Sequence, residues 1–384
     1  MNFALNFFRS SFLLALIWGV VSVAGAADLP IPAPPTVAAK GYLLIDHHTG
    51  RILAEHNADE RLEPASLTKI LSAYVVFREL AEGKISLQDE VLVSKKAWQT
   101  PGSRMFIEVG KKVPLEDLLI GMIVQSGNDA SVALAEHVAG SESTFAELMN
   151  THAQRLGMEN SHFVNATGLP DPDHYITARD IAIVSAATIR EFPEYYAWYA
   201  VKEYTFNGIK QHNRNRLLWQ DDAVDGVKTG HTEAAGYCLV ASAQREDMRL
   251  TSVVMGAAGE GARAKASLSL LNYGFRFFES HKLYASGEPV QELRVWKGDI
   301  EDLPVTPLHD VYVTIPRGQY DKLTPQVVLE AGVLAPIEAG QTLGHVVVNL
   351  GEEEVARVPL VPMQAVAEGG IWQYVKDSVL LWFQ

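Results

Sequence analysis

A serine and a lysine stand three positions apart where a long apolar stretch of the sequence begins. In "PASLTKI", residues 64–70, Ser66 and Lys69 would be neighbours on one face of a helix. A serine hydroxyl is a weak nucleophile until a base takes its proton, and a lysine amine can be that base only where burial lowers its pKa. Lys69 is the only charged residue between Glu63 and Arg78, so burial is expected. The pair predicts a nucleophile and its general base, although a capping serine beside an exposed lysine would give the same pattern.

A second group of polar residues lies in "IVQSGNDAS", between two stretches that are predicted to be helical. The hydroxyl of Ser126 could relay a proton, and the amide of Asn128 could hold a substrate carbonyl or the lysine. The alternative is an ordinary Ser-Gly-Asn turn that caps the next helix. Taken alone, this segment favours the turn.

The third group is Lys228-Thr229-Gly230 in "VDGVKTGHTEAAGY", directly before a predicted strand pair. If the segment is itself an edge strand, Gly230 would let an extended peptide approach the backbone closely and pair with it. Lys228 and Thr229 would add a cation and a hydroxyl that suit a carboxylate. A solvated turn is the alternative interpretation.

The segments that must position these groups combine helices with strands. Residues 67–80 are apolar nearly all round and precede Gly83, which predicts a helix inside a domain rather than on its surface. Further helices are predicted at residues 115–124, 129–138, 143–156 and 178–190. Strands are predicted on both sides of the turn at residues 48–50, in "GYCLVASAQ" and in "MRLTSVVMGA". Helices around a mainly antiparallel sheet indicate a mixed α and β (α+β) domain over residues 41–279.

The sequence changes character at about Ser280. Stretches such as "DVYVTIPRG" and "GHVVVNLGEEEVARVPLVPM" alternate apolar and polar residues, which predicts a small all-β domain over residues 280–366. The closing segment, residues 367–384, predicts an amphipathic helix that gathers its apolar residues on one side: Ile371, Trp372, Val375, Val379, Trp382 and Phe383. Such a helix is too short to span a bilayer but suits its interface. A helix docked on the β domain is the alternative.

The N-terminus has the order of a secretory signal peptide. Residues 1–26 contain one early cation, Arg9, then an apolar run, then Ala24-Gly25-Ala26. Cleavage is expected before Ala27, and an uncleaved membrane anchor is the alternative. Residues 27–40 are rich in proline and predict an extended lead-in without a core of its own.

Charge and composition exclude several classes of partner. The formal net charge is −14, which argues against a nucleic-acid partner. The histidines are scattered without the H-E-x-x-H spacing of a metallopeptidase, so neither a metal nor another cofactor is predicted. Cys238 is the only cysteine, which rules out a disulfide within the chain.

Chain order adds weight to the three polar groups. Ser66-x-x-Lys69, Ser126-x-Asn128 and Lys228-Thr229-Gly230 follow the order of the motif set of penicillin-binding proteins and class A β-lactamases. With "YTFNGIK", "NRNRLLW" and "YGFRFFE" beside them, the chain resembles the serine D-alanyl-D-alanine carboxypeptidases, the low-molecular-mass penicillin-binding proteins of the Gram-negative periplasm. The resemblance implies a penicillin-binding/β-lactamase-like domain followed by the small β domain and a membrane-attaching helix. "PGSRMF" and "NATGLPDPDHYITARD" depart from the family pattern, which leaves fine specificity and the deacylation rate open.

The resemblance also implies a reaction and a role for each residue. The substrate would be the D-alanyl-D-alanine end of a peptidoglycan stem peptide, and β-lactams would acylate the same serine. The implied roles are nucleophile for Ser66, general base for Lys69, proton relay for Ser126, and substrate binding for Asn128, Lys228, Thr229, Gly230, His231 and Arg214. The main-chain N–H groups of Ser66 and His231 would form the oxyanion hole. The protein would lie in the periplasm, attached through residues 369–384 to the outer face of the inner membrane.

Three other interpretations of the sequence remain open at this point. A D,D-endopeptidase would cut cross-links by the same chemistry. A class A-like β-lactamase needs a glutamate to activate the deacylating water, and residues 165–175 contain none. A catalytically idle wall-binding protein would have no use for the complete set of polar residues.

Overall fold

The computed structural model describes residues 31–383. The predicted signal peptide, residues 1–26, lies outside the described residues, as do residues 27–30 of the predicted lead-in and Gln384. The described helices are α1 (Thr68–Ala81), α2 (Lys95–Gln99), α3 (Leu115–Val124), α4 (Asn128–Ala139), α5 (Glu142–Leu156), α6 (Ala178–Glu191), α7 (Pro193–Tyr196), α8 (Glu260–Phe277) and α9 (Ile371–Leu380). The described strands are β1 (Gly41–Asp46), β2 (Ile52–His56), β3 (Glu90–Leu92), β4 (Lys112–Pro114), β5 (Glu203–Phe206), β6 (Ile209–His212), β7 (Val224–Thr232), β8 (Gly236–Arg245), β9 (Met248–Ala257), β10 (Phe278–Tyr284), β11 (Gln291–Arg294), β12 (Asp302–Pro307), β13 (Val311–Pro316), β14 (Leu323–Leu329), β15 (Gly344–Leu350) and β16 (Glu353–Pro362).

A five-stranded antiparallel sheet divides the larger part of the molecule into two cores. Its strand order is β2-β1-β9-β8-β7, so β7 lies at an edge, as the third polar motif requires. Successive side chains of a strand point to opposite faces. Leu43 accordingly packs into the core formed with α1 and α3 to α6, whereas Leu44 packs into the core beneath α8. The predicted α+β class is confirmed.

Helix α1 runs through the middle of the first core. Its residues Ile70, Leu71 and Phe77 are fully buried, because helices surround it and the sheet closes the remaining side. After α1 the chain turns at Gly83, whose φ of 69° is favourable only for glycine. The predicted internal helix is therefore confirmed, and it fixes the direction of the residues at its start.

Strands β10 to β16 form a separate β layer with its own core. β11-β12-β16-β15-β14 make one sheet, and β10 pairs with β13. A polar contact ties this layer to the sheet of the larger part, since the buried carboxylate of Asp46 accepts hydrogen bonds from the Ser280 hydroxyl (2.7 Å) and the Thr49 amide (2.9 Å). His48 also stacks on Tyr312, with 4.2 Å between the ring centroids.

Helix α9 is docked through its polar side and exposed on its apolar side. The fully buried carboxylate of Asp377 accepts the backbone N–H of Lys297, and Lys376 donates to Glu301 at 2.7 Å. Trp372 and Trp382 are 86% and 91% exposed. The docked alternative therefore holds for the polar side of the helix, whereas membrane attachment through the exposed apolar side stays a prediction. None of the helices in the described part of the chain has the length and apolar character needed to cross a membrane.

Candidate active site

Ser66 and Lys69 are brought together at the start of α1. Ser66 lies in a 3₁₀ turn, Ala65–Leu67, which leads directly into the helix. The Lys69 amine donates to the Ser66 hydroxyl at 3.0 Å, to the Asn128 side-chain oxygen at 2.7 Å and to the Thr167 carbonyl at 2.7 Å. Three acceptors therefore hold the amine beside the hydroxyl.

The surroundings of Lys69 favour its uncharged form. The residue is 1% exposed, and burial lowers the pKa of its amine from 10.5 to about 7, with a smaller contribution from the nearby Arg214 guanidinium. The Asp129 carboxylate opposes this shift. At neutral pH a substantial fraction of the amine can accept a proton.

The Ser126-Gly127-Asn128 turn joins α3 to α4 and reaches the same place. Ser126 has a φ of 66°, an uncommon conformation for a residue with a side chain. Its buried hydroxyl has no hydrogen-bond partner within the described part of the chain, although it lines the cavity above Ser66. Asn128 is fixed from the other side, because its amide nitrogen donates to the Pro101 carbonyl at 2.6 Å. The Asn128 amide is thus held in place, whereas the Ser126 hydroxyl is available to a bound substrate.

Strand β7 forms the opposite wall. Lys228 and Thr229 are buried, and the Lys228 amine donates to the Thr229 carbonyl at 3.1 Å. Burial, followed by the charges of Lys69 and Arg214, holds the pKa of Lys228 well below its usual value. A Cβ on Gly230 would lie 3.2 Å from the Ser66 nitrogen and 3.1 Å from the Pro64 oxygen, so a side chain there would push the strand and the turn apart by a few tenths of an ångström.

These walls enclose a cavity of about 240 Å³ with Ser66 on its lining. Seven of the nine residues that the sequence analysis singled out line it: Ser66, Ser126, Asn128, Arg214, Thr229, Gly230 and His231. Lys69 and Lys228 lie buried behind the lining. The His231 ring stacks on Tyr237, with 4.0 Å between centroids.

Three supporting groups escaped the sequence analysis. The Asp129 carboxylate accepts the backbone N–H groups of Met105 and Phe106, each at 3.0 Å, and so holds the segment that brings Ser103 to the cavity. The buried Arg263 of α8 donates to the Gly230 carbonyl at 3.1 Å. The third is the Thr167 carbonyl, which binds Lys69. Asp129 could have been found from the sequence, because it is an acidic residue directly beside Asn128. The Thr167 carbonyl could not, because every residue has a main-chain carbonyl and the sequence does not show which one will accept a hydrogen bond.

The arrangement is suited to acyl transfer. A hydroxyl lies next to a poorly solvated amine, a second hydroxyl is free, and an edge strand with nearby cations can hold an extended chain that ends in a carboxylate. The described residues bring these groups to one cavity with an open mouth.

Comparison with known proteins gives the same result over nearly the whole chain. The family model "D-alanyl-D-alanine carboxypeptidase" (peptidase S11) matches residues 29–259, and the model "Penicillin-binding protein 5, C-terminal domain" matches residues 278–368. D-alanyl-D-alanine carboxypeptidase DacC of Escherichia coli K12 is 44% identical over 377 residues, which cover 96% of this chain and 94% of the relative.

Solved structures agree with this result. Penicillin-binding protein 5 from Haemophilus influenzae superposes with a TM-score of 0.82 at 42% identity and covers 88% of this chain and 100% of its own. Penicillin-binding protein D2 from Listeria monocytogenes, solved in its cefotaxime-bound form, gives a TM-score of 0.59 at 28% identity and covers 64% of this chain and 100% of its own. The chain therefore belongs to the peptidase S11 family of D-alanyl-D-alanine carboxypeptidases, which are serine hydrolases.

Proposed function

We propose that this carboxypeptidase removes the terminal D-alanine of peptidoglycan stem peptides through an acyl-enzyme on Ser66. The observation that carries the proposal is the 3.0 Å contact between the Ser66 hydroxyl and an amine whose pKa is about 7. An amine with this pKa can take the hydroxyl proton at neutral pH without a metal or a second base.

In the acylation step, the Ser66 oxygen forms a bond to the carbonyl carbon between the two D-alanines as its proton passes to the Lys69 nitrogen. The negative charge that develops on the carbonyl oxygen is stabilised by the main-chain N–H groups of Ser66 and His231. Both residues line the cavity, and the close approach of Gly230 to the Ser66 nitrogen supports this pairing. Loss of one such donor typically lowers the rate ~10²- to 10³-fold.

The C–N bond then breaks and the leaving D-alanine needs a proton on its amine. The Lys69 ammonium formed in the first step supplies it by way of the Ser126 hydroxyl. Ser126 suits this role because its hydroxyl is buried, lines the cavity and is not committed to another described group. Water then attacks the acyl carbon of the ester on Ser66 while Lys69 takes its proton. The bond to the Ser66 oxygen breaks, and Lys69 returns the proton to that oxygen.

The carboxylate of the leaving D-alanine is bound at the wall that contains Arg214, Thr229 and Lys228. A chain with a net charge of −14 would otherwise repel an anionic substrate, so a local cluster of cations is needed to bind it. Thr229 and Lys228 are both buried, so water competes little with an anion for their hydrogen-bond donors.

β-Lactams acylate the same serine and leave it slowly. Penicillin-binding protein D2 from Listeria monocytogenes, a structural relative, is known in a cefotaxime-bound form. Glu260 is the acidic residue that lines the cavity in the described part of the chain, and its carboxylate pairs with Arg216 at 2.9 Å. This pairing and the absence of glutamate from residues 165–175 disfavour fast β-lactam hydrolysis.

The place of action is the periplasm, on the outer face of the inner membrane. Residues 1–26 direct export, and the exposed apolar side of α9 lies on the lipid surface. A substrate attached to the cell wall would then be within reach of the cavity.

The test is release of D-alanine from a peptide that ends in D-alanyl-D-alanine, measured for the native enzyme and for Ser66→Ala. The variant is expected to fall to the uncatalysed rate while its thermal unfolding temperature stays within a few degrees of native, because Ser66 is only partly buried. Release at the native rate by Ser66→Ala would refute the proposal. A parallel assay on a cross-linked dimeric peptide measures any endopeptidase activity.

A further inference from the structure

The buried imidazole of His174 has no part in the reaction as described so far. It is 1% exposed and lies in the loop of residues 163–175, which passes beside the Ser66 turn. Its Nε2 lies 3.0 Å from the hydroxyl of Thr68, the first residue of α1, and the Val164 N–H donates to its Nδ1 at 3.5 Å. With Nδ1 accepting, the proton lies on Nε2 and is donated to Thr68.

The same loop covers the Lys69 amine. Lys69 donates to the Thr167 carbonyl, and the Ser72 hydroxyl donates to the Ala166 carbonyl at 2.8 Å. A Cβ on Gly168 would collide with the Ala65 carbonyl, so the loop backbone packs directly on the Ser66 turn. Of the three hydrogen bonds that join this loop to α1, only the one from His174 starts from a loop side chain.

His174 is suited to this contact because it is uncharged. Burial lowers its pKa from 6.5 to about 4. The charged or titratable groups that face it are Asp171, His162 and Lys69, and of these only Asp171 favours the imidazolium. The imidazole therefore stays neutral over the range in which Lys69 titrates.

We propose that His174 is a positioning residue: it fastens the 163–175 loop to the start of α1 and thereby keeps water away from the Lys69 amine. Desolvation is the largest cause of the low pKa of Lys69, ahead of the Arg214 charge and the opposing Asp129 charge. Lys228, whose own pKa Lys69 depresses, is the remaining cation that faces the amine. A loosened loop would admit water and return the Lys69 pKa toward its ordinary value. This inference rests on the proposed role of Lys69 as the base.

The experiment is the pH profile of the acylation rate constant with a fluorescent penicillin, from pH 5.5 to 9.5. The native enzyme is expected to gain activity with an apparent pKa near 7. His174→Leu removes the donor, so the rise should move upward by about one pH unit or more. His174→Gln keeps an N–H donor and should restore the native profile. His152→Leu replaces another buried histidine that lies on α5 against Tyr74, and it should leave the profile unmoved.

A second variant provides a test that does not depend on whether His174→Leu folds. Thr68→Val has nearly the same shape and removes the partner hydroxyl, so it should produce a shift in the same direction. The double variant should shift no further than the larger single shift, because both changes break one contact. Folded His174→Leu and Thr68→Val enzymes with the native profile would overturn the inference. A native profile without a rise near pH 7 would instead count against Lys69 as the base.

Discussion

At the residue scale, the site depends on one lysine that is kept out of water. Lys69 is surrounded by Ser66, Asn128 and Thr167, and these polar contacts offset part of the cost of burying its charged form. The contacts do not restore the ordinary pKa, because a fully buried ammonium is costly even when it is hydrogen-bonded. The low pKa, which suits the amine to its proposed role as a base, is thus a direct consequence of its position on an internal helix.

The pH dependence of D-alanine release follows from this pKa. In its proposed role as the base, Lys69 would be protonated and inactive below about pH 7 and would become a proton acceptor above it. We expect kcat/KM for a neutral-side-chain peptide substrate to rise about tenfold for each pH unit below 7 and to level off above it. Steady-state kinetics between pH 5 and 9 measure this, and a rise centred near pH 10 would show that the amine is ordinarily solvated.

The residues that are proposed to perform the chemistry could be identified from the sequence, but several that position them could not. Ser66 and Lys69 are recognisable because a serine and a lysine at helical spacing open an apolar stretch. Arg263 is not, because its contact with the Gly230 carbonyl joins two elements that are 33 residues apart in the chain. A sequence motif shows how residues are spaced over a short stretch of chain. It does not show which side chains will contact main-chain groups of distant segments.

At the element scale, the site depends on how closely β7 approaches the turn before α1. Gly230 permits that approach, and Arg263 holds the strand from behind. The helices and strands predicted around the site are confirmed, with ends that differ by a few residues. A strong periodic pattern predicts that an element exists more reliably than it predicts where the element begins and ends.

Gly230→Ala tests this approach. The added Cβ would lie about 0.3 Å inside ordinary contact with Ala65, Pro64 and Ser66, so the strand must shift. We expect kcat/KM to fall about 10- to 100-fold with a small loss of thermal stability. Gly261→Ala is the matched control, because a Cβ there has no neighbour within 4 Å, and it should leave activity unchanged. Equal activities of the two variants would contradict the role of the close approach.

At the scale of the whole molecule, two parts are oriented by polar contacts that the sequence does not reveal. Asp46 and Ser280 join the catalytic sheet to the β layer across 234 positions of the chain. Asp377 fixes α9 through the backbone of Lys297, 80 positions away. The amphipathic pattern predicts the helix and its apolar side. It does not predict that the polar side packs on the β layer, because that contact depends on residues that are distant in the chain.

The docked helix predicts a membrane interaction that is apolar rather than electrostatic. The Lys376 ammonium is already paired with Glu301, whereas Trp372 and Trp382 are exposed. Binding of the full chain to phosphatidylcholine vesicles, measured by flotation, should change less than about twofold between low and high salt.

The two tryptophans should provide much of that binding. Replacing both with alanine should weaken it at least about tenfold without changing kcat on a soluble peptide. Trp219→Ala is the control, because that tryptophan is 47% exposed on the catalytic part. Binding that needs anionic lipid, or that survives the double change, would argue against the proposed attachment.

The most direct test of the central claim is the mass of the purified chain after incubation with a labelled penicillin, followed by peptide mapping. A single lasting adduct on the peptide that contains Ser66, absent from Ser66→Ala, is the predicted result, because the Ser66 hydroxyl has the Lys69 amine beside it. An adduct on another residue, or rapid consumption of the penicillin without an adduct, would contradict the account.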